Sequence, residues 1–337
     1  IVKPHPGAIL PLAITVKIAR EVLRDAGFDP DVVTLAATNP NDGAIVQQLA
    51  TRGEVRVIDF TGSTANGDWL ETHARQAQVY TEKAGVNQIV IDSTDDLKGM
   101  ARNIGFSLAL YSGQMCTAPQ NIYIPRDGIQ TPDGKVSFEE VVAAIAGSVQ
   151  KTCSDPAKAV ELLGAIQNEG VLARIDDARK VGRVVLDSQT LQHPAFADAR
   201  VRTPLIVALD VADDATYTRE WFGPIAFVIA VDNSAQAFAL AGRTAADHGA
   251  LTLSAYTTSA EGEAQALDAA IEGRVALSLN LTGGVFVNQS AAYSDYHGTG
   301  GNPAANASLA DAAFVANRFR VVQSRHHVPA KSDAGAA

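Results

Sequence analysis

The chain has 337 residues, 47% hydrophobic and 19% charged, with a formal net charge of −10. That balance suits a globular protein of roughly two domains. It disfavours nucleic acid as a partner, because phosphate binding needs a basic surface, and no apolar run reaches the ~18 residues of a membrane helix.

In chain order, Ile1-Val2-Lys3-Pro4 reads like the end of a core strand, so an upstream part of the fold is expected to precede it. No signal-peptide pattern is visible. Pro11 to Asp25 is an amphipathic helix stopped by Gly27. Val32 to Ala36 is a short β-branched run, and Asn41 or Asp42 caps a helix ending near Ala50. Val55 to Phe60 is a strand, followed by a helix from about Ala65 to Ala77 and a strand from Asn87 to Ile91. Asp95 to about Ser112 is a long helix, Gln120 to Ile124 a strand, and Arg126 to Lys135 a turn. Phe138 to Thr152 and Ala157 to Asn168 are helical. Strands at 201–209, 225–231, 251–256 and 274–280 then alternate with helices at 234–246 and 262–272. Alternation of this kind means βαβ units and a parallel sheet, an α/β fold. The tail from Pro329 is Pro, Lys, Ser, Asp, Gly and Ala, a composition that predicts disorder.

Four short stretches carry chemistry. Ser112-Gly113-Gln114-Met115-Cys116 places a thiol at a helix-to-strand junction. Such a cysteine is either packing or a nucleophile. Phe60-Thr61-Gly62-Ser63 joins a strand to a helix N-terminus, which is an ordinary helix start or an anion site. Glu82, between Thr81 and Gly85, is a turn carboxylate or a base that activates water. Glu220-Trp221-Phe222-Gly223-Pro224 is a turn before a strand, with Trp221 and Phe222 as core. Two cysteines, Cys116 and Cys153, do not make a disulfide framework, and a reducing cytoplasm is the simpler setting. Cys153 reads as packing. The seven histidines (5, 73, 193, 248, 297, 326 and 327) show no metal-binding spacing, so no metal site is expected.

Taken together, these stretches resemble the NAD(P)-dependent aldehyde dehydrogenase superfamily. That family has a Phe-Thr-Gly-Ser turn, a Glu-x-x-Gly segment, a Gly-Gln-x-Cys segment and a Glu-x-Phe-Gly-Pro segment. All four occur here in that order, with Glu82 and Cys116 separated by 34 positions. The wording Gly-Gln-Met-Cys-Thr-Ala-Pro-Gln-Asn, followed by Ile-Tyr-Ile-Pro-Arg-Asp-Gly, is most similar to the branch acting in phenylacetate degradation, the PaaN-type proteins.

The resemblance implies an aldehyde dehydrogenase-like fold. A partial Rossmann-type cofactor domain would span 1–82 and a catalytic domain 83–287. A return segment linked to oligomerisation would cover 288–325 and a flexible tail 326–337. Cys116 would be the nucleophile, its backbone N–H an oxyanion donor beside an asparagine upstream of this chain, and Glu82 the base that hydrolyses the thioester. Phe60, Thr61, Gly62 and Ser63 would bind the cofactor, with Ser63 and the following helix N-terminus holding the pyrophosphate, Glu220 and Phe222 the nicotinamide ribose and ring, and Lys3 the adenosine ribose. The substrate would be an aldehyde, in the phenylacetate branch a CoA-linked semialdehyde, and the assembly a homodimer or homotetramer.

Two positions depart from the family pattern. The base segment reads Glu82-Lys83-Ala84-Gly85 where Glu-Leu-Gly-Gly is usual. Pro6 stands where NAD-preferring members carry a glutamate that meets the ribose, so NADP is favoured, with NAD as the alternative. Two other readings stay open: acyl transfer to CoA instead of water, and a nucleotide-binding relative without turnover.

Overall fold

A computed structural model describes residues 1–39, 42–83, 85–286, 298, 301–306 and 324–327. The expectations for the tail from Pro329, and for most of the return segment 288–325, lie outside these residues. The chain forms two compact units. One is Ile1–Ile58 with Leu70–Val79, and the other is Asp59–Trp69 with the chain from Tyr80 onward.

In the first unit, helix α1 spans Ile9–Asp25. A 3-10 turn at Pro6–Ala8 precedes it, and His5 caps that turn by accepting the Gly7 N–H on Nδ1 at 3.0 Å. Arg20 ties α1 to the following turn through the Pro30 and Val33 carbonyls and the Asp31 carboxylate. The β-branched run at 32–36 contributes one parallel bridge, Val2 to Leu35, rather than a strand. Helix α2 is Gly43–Ala50, with Asp42 at its N-cap. Strand β1 (Val57–Gly62), helix α3 (Thr64–His73) and strand β2 (Gln78–Lys83) follow, each with residues in both units, the two strands making a small sheet.

The second unit is built on a larger sheet. Its elements in chain order begin with β3 (Asn87–Ile91), α4 (Leu97–Ala109), β4 (Pro119–Pro125), the hairpin β5 (Ile129–Thr131) and β6 (Gly134–Val136), and α5 (Phe138–Thr152). Then come α6 (Pro156–Leu163), α7 (Glu169–Ala178), β7 (Arg183–Leu186), β8 (Thr190–Leu191), β9 (Val201–Arg202) and β10 (Leu205–Asp210). The remainder is α8 (Asp214–Tyr217), β11 (Ile225–Val231), α9 (Ser234–His248), β12 (Thr252–Tyr256), α10 (Ala260–Gly273), β13 (Ala276–Leu279) and β14 (Ser324–His326). The strand order is β14-β13-β12-β3-β4-β11-β10-β7. Every neighbouring pair is parallel except β10 with β7, so this is a mixed α/β sheet.

Both faces of the sheet are covered, which is why its strands read as continuous apolar runs. Alternation sends Ile89 and Ile91 of β3 to one face, with Met100 and Ile104 of α4 and Val142 and Ile145 of α5. Val90 goes to the other, with Phe238 of α9 and Ala266 of α10. The carboxyl ends of β3 and β12 are closed by their own hydroxyls: Asp92 accepts from Ser93, Ser234 and Thr257. Asn233 and Ser259 cap α9 and α10 at the same edge.

Three sequence expectations need correction. The helix expected at 157–168 ends at Leu163, because Gly164 turns out at φ 61, and α7 starts afresh at the Asn168 cap. The turn at 126–135 contains the β5–β6 hairpin. The helix expected to run to Ser112 stops at Ala109, because the next residues leave helical geometry.

Candidate active site

The backbone after α4 is unusual. Tyr111 (φ 52), Ser112 (φ 53) and Gly113 (φ 60) are consecutive left-handed residues, a conformation that costs an L-residue about 1–2 kcal/mol. Tertiary contacts hold it. The buried Ser112 hydroxyl donates to the Leu163 carbonyl at 3.0 Å. Gln114 donates to the carbonyls of Tyr111 and Ala165, both at 3.1 Å, and accepts the Gln167 N–H at 3.0 Å. Gly113 lies so close to Gly223 that a Cβ there would sit 2.2 Å from the Gly223 carbonyl oxygen. The result is a sharp reversal that delivers Cys116, half-buried, to the amino end of β4. Its side chain packs against Leu251, Ala304 and Ala305.

Ala304–Asn306 also meets the strand that carries Glu82. Glu82 bridges Ala305. The Lys83 N–H donates to the Ala304 carbonyl at 2.5 Å, and the Asn306 N–H to the Thr81 carbonyl at 3.1 Å. The Asn306 side chain accepts the Thr81 N–H at 2.8 Å. The cluster against which Cys116 packs therefore includes two residues, Ala304 and Ala305, that meet the Glu82 strand. Asp59, on β1, has its carboxyl raised by burial and then by the Glu82 charge.

The Glu220 loop is anchored to the residues just after Cys116. Gln120 accepts the Trp221 N–H at 2.7 Å and donates to the carbonyls of Tyr217 and Arg219 at 3.2 and 3.0 Å. Asn121 donates to the Tyr217 carbonyl at 2.9 Å. From α7, Arg174 donates through Nε to the Phe222 carbonyl at 2.9 Å. The Arg219 guanidinium lies 4.1 Å above the Trp221 ring. Burial pushes the Glu220 carboxyl up to about 7, with the Arg174 charge pulling the other way.

A carboxyl that holds its proton more tightly when folded loses stability as pH rises from its unfolded value, 4.5, to about 7. Glu220→Gln is therefore expected to be more stable than the wild type at pH 8, by about 1–3 kcal/mol, with the difference vanishing near pH 4. Urea melts at both pH values check this, and a pH-independent difference refutes it.

At the β1–α3 turn, Ser63 caps the helix: its hydroxyl accepts the Asn66 N–H at 3.4 Å and its carbonyl the Gly67 N–H at 3.0 Å. Thr61 and Ser63 are exposed, while Phe60 and Gly62 are half-buried. Lys83, the departure beside Glu82, runs its buried stem over Gly67 and pairs with Asp68 of α3 at 2.8 Å. The base segment is thereby fastened to the first turns of this helix. Lys3 is exposed in the first unit.

The structure thus brings the Cys116 segment, the Glu82 strand and the Glu220 loop to one edge of the sheet. Sequence reasoning did not single out Asn87, Arg174, Gln120 or Asn306, the side chains that hold these pieces. Gln120 and Asn121 had a signal, being two carboxamides in an apolar strand; Arg174 had none. Burial pushes the Cys153 thiol up to about 11. Among the described residues no cluster of three or more His, Cys, Asp or Glu suits a metal ion, and no helix is long and apolar enough to cross a membrane.

The family model described as "Aldehyde dehydrogenase family" matches residues 1–302. The chain belongs to the aldehyde dehydrogenase family. A crystal structure of a Burkholderia multivorans protein described as an NAD-dependent aldehyde dehydrogenase is 75% identical, with a TM-score of 0.90 over 98% of this chain and 59% of that one. A Pseudomonas fluorescens vanillin dehydrogenase is 28% identical over 63% of this chain and 43% of its own. An N-succinylglutamate 5-semialdehyde dehydrogenase of Hahella chejuensis is 26% identical over 69% of this chain and 47% of its own. This aldehyde dehydrogenase family chain spans about half the length of the curated relatives it matches.

Proposed function

We propose that the site oxidises an aldehyde to its acid with NAD(P)+, using Cys116 as nucleophile and Glu82 as the base of the second half-reaction. The observation that carries this is the convergence of three segments. The Cys116 loop touches the Glu220 loop at Gly113 and Gly223, and Cys116 packs against the cluster of Leu251, Ala304 and Ala305, whose Ala305 is bridged to Glu82.

In the reaction, the Cys116 thiolate adds to the aldehyde carbon and makes a tetrahedral thiohemiacetal. The backbone N–H of Cys116 faces the developing oxyanion, a contribution commonly worth about 3 kcal/mol. Loss of hydride leaves a thioester on Sγ. Glu82 then takes a proton from water as the water attacks that carbonyl, and the thiol leaves with the acid formed. A nicotinamide cofactor, once bound, would supply the hydride acceptor. The donor set suits such a dinucleotide: an exposed Ser63 at a helix N-terminus for the pyrophosphate, and a half-buried Glu220 carboxyl for ribose hydroxyls. At the adenosine end we assign Lys3 to the ribose. With Pro6 in place of a carboxylate, a 2′-phosphate meets no repulsion, so NADP is accepted beside the NAD named for the Burkholderia relative.

Glu82→Gln is expected to keep one fast turnover of NAD(P)H per site while the steady-state rate falls by about 10²–10⁴. Rapid mixing with an aldehyde panel reads both phases. An unchanged steady-state rate removes Glu82 from the mechanism, and acceleration of product formation by added CoA would favour the acyl-CoA reading. The motif wording around Cys116 further supports a CoA-linked semialdehyde of phenylacetate breakdown as substrate, the family resemblance a homodimer or homotetramer, and the two free cysteines a cytoplasmic setting. Turnover of that semialdehyde at no better rate than simple aldehydes would remove the substrate assignment.

A further inference from the structure

Asn87 is the first residue of β3 and is 1% exposed. Its carboxamide makes four hydrogen bonds. Nδ2 donates to the Cys116 carbonyl at 2.7 Å and the Ala118 carbonyl at 2.9 Å. Oδ1 accepts the Leu251 N–H at 3.0 Å and the Thr252 N–H at 3.1 Å. The two donors reach the lead-in of β4 and the acceptor reaches the lead-in of β12, the neighbours on either side of β3. The backbone register between β3 and β4 shifts at this same point, between Asn87 and Gln88. One side chain therefore replaces a missing rung of the ladder across three strands. No apolar residue does this, and an acid lacks the two N–H donors.

We propose that Asn87 is a positioning residue for the reaction: by holding the carbonyls of Cys116 and Ala118, it sets the backbone from which the Cys116 thiol and N–H project. This rests on the assignment of Cys116 as nucleophile. Fixing two carbonyls within three residues leaves the Cys116 peptide little freedom to rotate, and an error of ~1 Å in placing a nucleophile costs up to about a hundredfold in rate. The restraint acts after binding, so its loss appears in kcat more than in KM.

Two variants test it. Asn87→Asp keeps an acceptor for Leu251 and Thr252 but presents negative charge to both carbonyls. Its kcat is expected to fall by about tenfold to a hundredfold, with KM for aldehyde and cofactor within about threefold. Iodoacetamide should label Cys116 about tenfold more slowly, since nearby negative charge disfavours the thiolate, while Cys153 keeps its wild-type rate as an internal reference. Asn87→Ser, neutral and retaining one donor, should lose less kcat and label Cys116 at nearly the wild-type rate. Wild-type kcat in either variant overturns the proposal, as does equal slowing of Cys116 and Cys153, which marks general loosening. If Asn87→Asp does not fold, the kcat of Asn87→Ser decides alone. Labelling needs no turnover. A wild type that oxidises no aldehyde would sink the proposed function, yet the labelling ratio would still report on Asn87.

Discussion

Cys116→Ser is expected to lose NAD(P)H formation with every aldehyde tested, by a factor of at least about 10³, while binding cofactor as the wild type does. A hydroxyl is hardly ionised at neutral pH and does not replace a thiolate in attack on a carbonyl, and removal of a nucleophile from a working set removes most of the set's effect. The exchange is nearly isosteric, so the fold should survive. The backbone at 116 is held through its carbonyl by Asn87. The Glu220 loop hangs on Gln120 and Arg174, and neither bond involves the thiol. Initial rates at saturating cofactor and cofactor binding by fluorescence check the two halves separately. Activity that persists in Cys116→Ser excludes the thiohemiacetal route.

Gly113→Ala is expected to cost about 2–4 kcal/mol and, with it, most of the cofactor affinity. Two terms add. Alanine at φ 60 carries about 1 kcal/mol of left-handed strain. Its Cβ would also stand 2.2 Å from the Gly223 carbonyl oxygen, and the obstacle is backbone rather than the tip of a flexible chain, so overpacking adds about 1–3 kcal/mol. Relief requires moving either the Cys116 loop or the Glu220 loop. At about 2–4 °C per kcal/mol, the melting temperature should fall by roughly 4–16 °C. Gly147→Ala in α5 is the control. It meets no atom within 4 Å, and as a helix-interior Gly→Ala exchange it should stabilise by about 0.5–1 kcal/mol. Equal melting temperatures for the two variants would show that the Gly113–Gly223 approach is slack.

The contrast between what was legible and what was not follows the range of the forces involved. Helix α5 was readable end to end, because Ser137 and Glu140 form a local capping box before an amphipathic run. Strand β11 was readable because it is unbroken apolar sequence entered from Pro224. The break between α6 and α7 was missed although Gly164 marks it, since alanine and leucine on its N-terminal side favour helix strongly. The hairpin β5–β6 is too short to announce itself by alternation. Tyr111 and Ser112 could not have been foreseen in left-handed geometry: nothing in their own chemistry asks for it, and it persists through partners 51 residues away, at Leu163 and Ala165. The candidate site divides in the same way. Cys116, Glu82 and Glu220 stand in motifs whose order can be read along the chain. Asn87 reads as a polar residue opening an apolar strand, and its partners lie 29, 31, 164 and 165 positions away.

The candidate site also lies at the unusual edge of its sheet. Cys116, Glu220 and Leu251 precede β4, β11 and β12, at the amino ends of parallel strands, whereas open α/β sheets commonly bind ligands beyond the carboxyl ends. Here that other rim is sealed by Asp92 and the hydroxyls of Ser93, Ser234 and Thr257. The two rims therefore differ in what holds them. The sealed rim tolerates little exchange, since each lost hydroxyl strands a partly buried carboxylate. The lead-ins at the other rim carry the candidate site and are themselves tied to the ladder through Asn87. A change in their length would therefore move Cys116 together with the strand ends.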